Sequence, residues 1–164
     1  LDIALVGTWS ALLGAESQRL ADDITPARTG YLSTIMLGQR IQFFDNLVSA
    51  ALIWKPSWQR TDGKPYSYNG QSINAQIGLF IPRGRGVDLV VSYEYLDRDY
   101  INRSSGFGRG YRRDEYHIFS SGLRVPLARF AEISIDYLHI RSRSTLRSLN
   151  YSQNILTFRL GFWY

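Results

Sequence analysis

The sequence contains no cysteine, only two lysines and no run of 18 apolar residues. The lack of a long apolar run excludes a transmembrane helix. The lack of cysteine suits a chain that crosses an oxidising compartment before it folds. No basic region or cleavage site precedes Asp2, so we expect that a signal peptide has already been removed if the protein is exported.

The net charge is +5, and the chain has 19 lysines and arginines in total. Only Lys55 and Lys64 are lysines, so the positive charge comes almost entirely from arginine. A guanidinium binds phosphate through two parallel hydrogen bonds, which an ammonium does not. The composition therefore predicts acidic polymers or phosphorylated lipids as neighbours.

The strongest positive signal is an alternation of apolar and mixed positions, which is clearest at residues 154–164. One set of alternate positions is wholly apolar, and it consists of Leu156, Phe158, Leu160, Phe162 and Tyr164. The other set includes Thr157 and Arg159. A period of two predicts a β-strand with one apolar face.

The same alternation recurs along the whole chain of 164 residues. It predicts strands at about 2–13, 29–43, 47–58, 67–81 and 87–97, then two strands joined near Ala128, and the final strand. Short turns alternate with longer loops, as in outer-membrane barrels. We therefore predict one domain, residues 1–164, that is all-β and forms an eight-stranded antiparallel up-and-down transmembrane β-barrel. The alternative is a soluble lipocalin-like barrel with its apolar residues inside.

The sixth and seventh predicted strands specify a register. With the turn centred on Ala128, facing residues sum to 256, which places Phe119 opposite Tyr137 on the apolar side and Arg124 opposite Glu132 on the polar side. A slip by one residue would destroy both matches.

The last third of the chain resembles a known group of proteins. A tyrosine-rich strand leads into a loop of arginine, serine and asparagine, then a Tyr-x-x-Asn element at Tyr151 and a closing aromatic strand. This arrangement is similar to the last strands of bacterial outer-membrane barrel and porin-like families. The resemblance implies an outer-membrane location in a Gram-negative envelope. It also implies an assembly signal read by the barrel assembly machinery, carried by Phe158, Leu160, Phe162 and Tyr164.

Charged residues at inward positions predict a network inside the barrel. Its members are Arg40, Lys55, Asp88, Glu94, Arg124, Glu132, Asp136 and Arg159. An eight-stranded barrel is just wide enough for side chains to fill it, so these charges must be paired. They predict a filled lumen that acts as a structural plug. The alternative is a selective water path.

Arginines cluster in the loop regions, and the cluster comprises Arg98, Arg103, Arg109, Arg112, Arg113, Arg141, Arg143 and Arg147. They are interpreted either as solvated charges or as contacts to the phosphates and acidic sugars of lipopolysaccharide. Nucleic acid is not expected as a partner, because no aromatic platform lies among these arginines.

The two histidines, His117 and His139, face each other in the predicted register. A facing pair can bind a metal or share a proton, but histidine also belongs at the membrane interface. We predict no metal, no cofactor and no catalytic residues. The predicted function is a structural membrane anchor or interaction subunit that contacts lipopolysaccharide or another envelope component, including other envelope proteins. The alternative is a wall subunit, or the C-terminal part, of a larger pore for polymer or solutes.

Overall fold

The fold is described from a computed structural model covering residues 7–20, 29–62, 66–82, 85–101 and 112–162. Eight strands form one antiparallel sheet in which each strand pairs with its neighbours in sequence. They are β1 (Gly7–Leu20), β2 (Gly30–Phe43), β3 (Val48–Thr61), β4 (Tyr68–Ile81), β5 (Val87–Tyr100), β6 (Arg113–Ala128), β7 (Ala131–Ser144) and β8 (Tyr151–Phe162). A short 3-10 helix, Arg147–Leu149, precedes β8. The predicted all-β, up-and-down order of eight strands is confirmed.

The register places apolar and polar side chains on opposite faces of this sheet. On β4, the residues Ile73, Ile77 and Ile81 lie on one face, whereas Asn74 and Gln76 lie on the other. The apolar face is exposed along its length, and its most exposed members include Leu13, Leu52, Ile77, Leu156, Phe158, Leu160 and Phe162. We call these two surfaces the apolar face and the polar face.

The apolar face has a defined height. From Ile73 to Ile81, every outward residue of β4 is apolar, which spans about 27 Å along the strand at roughly 3.4 Å per residue. Polar residues follow towards the long connections, for example Gln71 on β4 and Asp97 on β5. An apolar band therefore lies on the side of the short turns, and a polar belt lies beyond it on the side of the long connections.

Short and long connections alternate along the chain, as predicted. The β2–β3 turn has Asp45 and Asn46 at positive φ, with Leu47 N–H donating to the carbonyl O of Phe44 at 3.1 Å. This is the geometry that asparagine and aspartate adopt most readily. The connections at 44–47, 82–86 and 129–130 lie at one end of the sheet, and the longer ones lie at the other.

The predicted register between β6 and β7 is wrong by two residues. Facing residues sum to 258 over most of the pair, so Arg124 faces Ser134, and Phe119 faces His139. Two features cause the difference: a two-residue turn between Ala128 and Ala131, and a bulge at Leu127. Together they move the pairing by two residues from the predicted register. An even shift leaves each side chain on its predicted face.

Several strands continue past their predicted ends. The strand β1 runs to Leu20 rather than ending near Leu13, and β5 runs to Tyr100 rather than to Asp97. Both extensions belong to the polar belt, where neither face needs to be apolar. The backbone still pairs there, but the apolar period on which the prediction relied is absent.

The sheet is open. Within the described residues, β1 pairs only with β2, and β8 pairs only with β7. The predicted closure into an eight-stranded barrel is therefore not seen in this part of the chain. Among the residues that the structure describes, the outer edges of β1 and β8 have no partner strand, and such edges are sites for pairing with further strands.

Candidate functional site

The polar face contains a groove of about 600 Å³ on the side of the short turns. Its lining comes from five successive strands, β4 to β8, and includes Gln76, Asp88, Ser120, Gly122, Arg124, Asp136, Leu138 and Arg159. Since residues of five adjacent strands converge on one space, the polar face is the concave face of the sheet.

Small residues allow this convergence. A Cβ added to Gly78 would lie 2.6 Å from Oγ of Ser49, and one added to Gly122 would lie 2.9 Å from Oδ1 of Asp136. Glycine within a strand commonly marks such a close approach or bend. The absence of side chains at these positions therefore leaves room for the polar groups of neighbouring strands.

The register brings all eight predicted interior charges onto the polar face. Four of them line the groove, namely Asp88, Arg124, Asp136 and Arg159. The others lie outside the groove: Arg40 on β2, Lys55 opposite Ser72, Glu94 opposite Asn74, and Glu132 opposite Pro126.

Two of the groove charges form an ion pair, and the other two lie on facing positions of neighbouring strands. An ion pair joins Arg159 to Asp136 at 3.1 Å, and Asp88 lies directly opposite Arg124. The predicted pair of Arg124 with Glu132 is not formed as a facing pair, because the register is shifted. The side chain of Arg159 is 68% exposed and that of Asp136 is 36% exposed. The groove therefore presents hydrated charges of both signs.

The other end of the polar face is closed by a cluster that we call the loop-end cluster. It consists of Tyr68, Arg98, Tyr100, Arg112, Asp114, Tyr116 and Ser144. The side chain of Asp114 is 1% exposed and accepts hydrogen bonds from Nη2 of Arg112 at 2.6 Å and from Oγ of Ser144 at 2.6 Å. A carboxylate buried this deeply needs such partners to remain charged.

Aromatic rings complete the loop-end cluster. The guanidinium carbon of Arg98 lies 5.0 Å from the ring centre of Tyr68 and 5.4 Å from that of Tyr116, and that of Arg112 lies 4.0 Å from the ring centre of Tyr100. These are cation–π distances. Burial raises the pKa of Tyr100. Burial is the largest single effect on Arg112 and lowers its pKa, but the hydrogen bonds to Asp114 together with the electrostatic attraction of Tyr100, Asp114 and Tyr116 raise the pKa of Arg112 overall.

The loop-end cluster was missed because its arginines were interpreted as loop residues. Arg98 lies inside β5, and Arg112 immediately precedes β6. The sequence offered one usable signal: Leu96, Arg98 and Tyr100 continue the polar-face positions of β5, while Asp97 and Asp99 continue the opposite face. Aspartates at alternate positions on one face, with an arginine and a tyrosine on the other, indicate a strand that continues into polar surroundings.

The remaining predicted rim arginines differ in their partners. Arg113 lies on the opposite face from the loop-end cluster, and its Nε donates to Asp97 at 2.8 Å; this hydrogen bond raises the pKa of Arg113. Arg141 and Arg143 lie exposed on β7, and Arg147 is exposed in the 3-10 helix. The predicted contacts of Arg103 and Arg109 lie outside the described residues, as does Tyr164 of the predicted assembly signal.

The two histidines do not face each other. His117 faces Arg141, and His139 faces Phe119. Nδ1 of His117 lies 2.7 Å from the hydroxyl of Tyr93, and Nδ1 of His139 lies 2.7 Å from Oδ1 of Asn154. Each ring is thus held by its own neighbour at the border between the apolar band and the polar belt.

Comparison with known proteins adds no functional assignment. No family model matches the chain, and neither the curated proteins nor the solved structures include a significant match. Among the described residues, no three histidine, aspartate or glutamate side chains are grouped so that they could hold a metal ion. No helix in this part of the chain is long and apolar enough to cross a membrane.

Proposed function

We propose that the sheet spans a bacterial outer membrane as part of the wall of a water-filled pore. The apolar face contacts lipid, and the concave polar face contacts water. One observation carries this proposal: a single unclosed sheet has an exposed apolar band on one face and an exposed charged groove on the other. The band covers nine residues of β4, from Ile73 to Ile81, and a tilted strand needs about 9–11 residues to cross a membrane.

The open edges of β1 and β8 favour a pore built from more than eight strands. They do not favour a complete eight-stranded barrel. Unpaired backbone groups are costly in lipid, where no water can satisfy them. In the proposed assembly, further antiparallel strands therefore pair with β1 and β8. The hydrated pair of Arg159 and Asp136 also suits a water-filled space better than a tightly packed plug.

A second candidate is the membrane anchor with a filled lumen. The loop-end cluster favours it, because the buried Asp114 shows that one end of the polar face is already packed. In either case the proposed partners are outer-membrane lipid, lipopolysaccharide and the barrel assembly machinery, and the proposal assigns no catalytic role.

Adjacent serines on β6 provide a matched test. Ser120 lines the groove on the polar face. Ser121 also borders the groove, but its position in the strand is on the apolar face between Phe119 and Leu123. Since the chain has no cysteine, Ser120→Cys and Ser121→Cys each introduce one thiol at nearly the same depth. The variants are inserted into lipid vesicles and treated with a charged, water-soluble thiol reagent.

If the sheet is part of a pore wall, the thiol of Ser120→Cys should be modified rapidly, and that of Ser121→Cys should hardly react. A plugged barrel predicts that neither thiol reacts until the protein is unfolded. If Ser121→Cys reacts as fast as Ser120→Cys in intact vesicles, the apolar face does not contact lipid, and the membrane assignment is wrong.

A further inference from the structure

The polar belt lies beyond the apolar band, on the same face of the sheet. It contains two regions that differ in how their charged residues are paired. On β5 and β6, one arginine lies between two acidic residues: Arg113 binds Asp97 and also lies 3.5 Å from Glu115. On β7, Arg141 and Arg143 are exposed, and neither makes an ion pair with any residue in the described part of the chain. Glu115 is the cross-strand neighbour of Arg143, but its carboxylate is directed to Arg113.

The two arginines line a pocket of about 560 Å³ at the β7–β8 end of the sheet. The other lining residues are Ser142, Ser144, Asn150, Tyr151 and Ser152. This volume is in the range of small-molecule sites, about 300–1,000 Å³. The lining supplies two guanidinium groups, three serines, a tyrosine and an amide. The hydroxyls of Ser142 and Ser144 already donate to Leu149 and Asp114, whereas Ser152 lies beside Arg141. Such a set of donors suits a phosphate, which guanidinium groups bind bidentately.

The position of the pocket identifies the source of the phosphate. Along β8, the outward residues are apolar from Phe162 to Leu156, then comes Asn154, and then Ser152 at the pocket. Along β7, His139 precedes the first arginine of the pocket and binds Asn154. The pocket thus lies immediately beyond the apolar band and its hydrogen-bonded border, at the level where a membrane has its headgroups.

We propose that Arg141 and Arg143 bind the phosphate of a lipid headgroup in the leaflet next to the long connections. Arg141, Arg143 and Ser152 lie on the face that is proposed to contact lipid, so the lipid stays in the membrane while its phosphate binds the two arginines. This inference rests on the proposed function, because it requires the apolar band to be embedded in lipid.

Binding is measured by native mass spectrometry on the full chain folded in maltoside micelles, which contain no phosphate. The probes are a short-chain phosphatidic acid and, separately, inorganic phosphate. The variants are Arg141→Gln with Arg143→Gln, Arg141→Lys with Arg143→Lys, and Arg147→Gln as a control from the same arginine-rich segment that does not line the pocket.

The wild type and Arg147→Gln are expected to bind phosphatidic acid equally. The double glutamine variant is expected to bind at least about tenfold more weakly, and the double lysine variant to lie between them, because lysine keeps the charge but lacks the bidentate geometry. Inorganic phosphate is expected to bind too weakly to compete.

Equal lipid binding by the double glutamine variant and the wild type would overturn the lipid site. Effective competition by inorganic phosphate would overturn its assignment to lipid and indicate a free-anion site. These results require folded protein, which the heat-modified mobility on gels reports for each variant. Failure of the wild type to fold in any micelle or vesicle would instead overturn the proposed function itself.

Discussion

Two arginine–aspartate pairs on the same concave face differ greatly in their surroundings. In the loop-end cluster, Arg112 and Asp114 are 2.6 Å apart, and the aspartate is 1% exposed. In the groove, Arg159 and Asp136 are 3.1 Å apart, and both side chains are in contact with solvent. The chemistry of the two pairs is the same, but their consequences for stability and for function are not.

The difference follows from the cost of removing charge from water. A buried carboxylate must receive several hydrogen bonds, and Asp114 receives them from Arg112 and Ser144. An exposed pair loses little water and gains little free energy. The loop-end cluster therefore stabilises this end of the sheet, whereas the groove pair sets the local charge of a hydrated surface.

The largest expected effect comes from removing the buried aspartate. Asp114→Ala should lower the free energy of unfolding by about 3–5 kcal/mol, because it leaves the charge of Arg112 without its partner. Urea unfolding in detergent micelles measures this change. The matched variant, Asp136→Ala, should lower it by at most about 1 kcal/mol. Similar losses for the two variants would remove the distinction between the two regions.

Substitutions of glycine by alanine are expected to change the free energy of unfolding by an intermediate amount, and they compare the packing of the loop end with that of the groove. A Cβ at Gly30, in the buried loop-end part of β2, would overlap the backbone carbonyl of Arg60, which cannot move freely. Gly30→Ala should therefore cost about 1–3 kcal/mol. In the groove, Gly122→Ala should cost less, since a Cβ there meets only the carboxylate of Asp136, which can rotate away. The same urea titration compares the two variants, and an equal cost would mean that the groove is as tightly packed as the loop end.

The smallest expected effect is the response to salt. At about 1 M salt the screening length is about 3 Å, so the stability difference between Asp136→Ala and the wild type should disappear. The difference caused by Asp114→Ala should persist, because buried pairs are screened far less. A salt-insensitive contribution from Asp136 would show that water does not reach the groove pair.

The same contrast explains what could be predicted from the sequence. Within the apolar band, each outward position of β4 and β8 is apolar, so the period of two identified the strands and the face of every predicted interior charge. In the polar belt that period disappears, and the sequence therefore did not predict that β1 extends to Leu20 or that Arg98 lies inside a strand. The backbone ladder continues there without any requirement for apolar residues.

The register of β6 and β7 shows a second limit. Two registers that differ by two residues give the same faces, so neither the apolar rows nor the charged rows separate them. The turn at Arg129 and Phe130 and the bulge at Leu127 determine which of the two registers forms. Cross-strand partners such as Arg124 and Ser134 therefore could not be identified from the pattern of faces alone.

The most direct measurement of the central claim concerns the two open edges. Cysteine pairs are introduced at polar-face positions, combining Leu12, Gly14 or Glu16 on β1 with Ile155, Thr157 or Arg159 on β8. A disulfide forms only when the two Cβ atoms come within about 3.5–4.5 Å, so only paired strands can be linked. The pore wall predicts no link between β1 and β8 of one chain in the membrane for any of the nine combinations. A set of efficient intrachain links that defines one register would show a closed eight-stranded barrel and contradict the account.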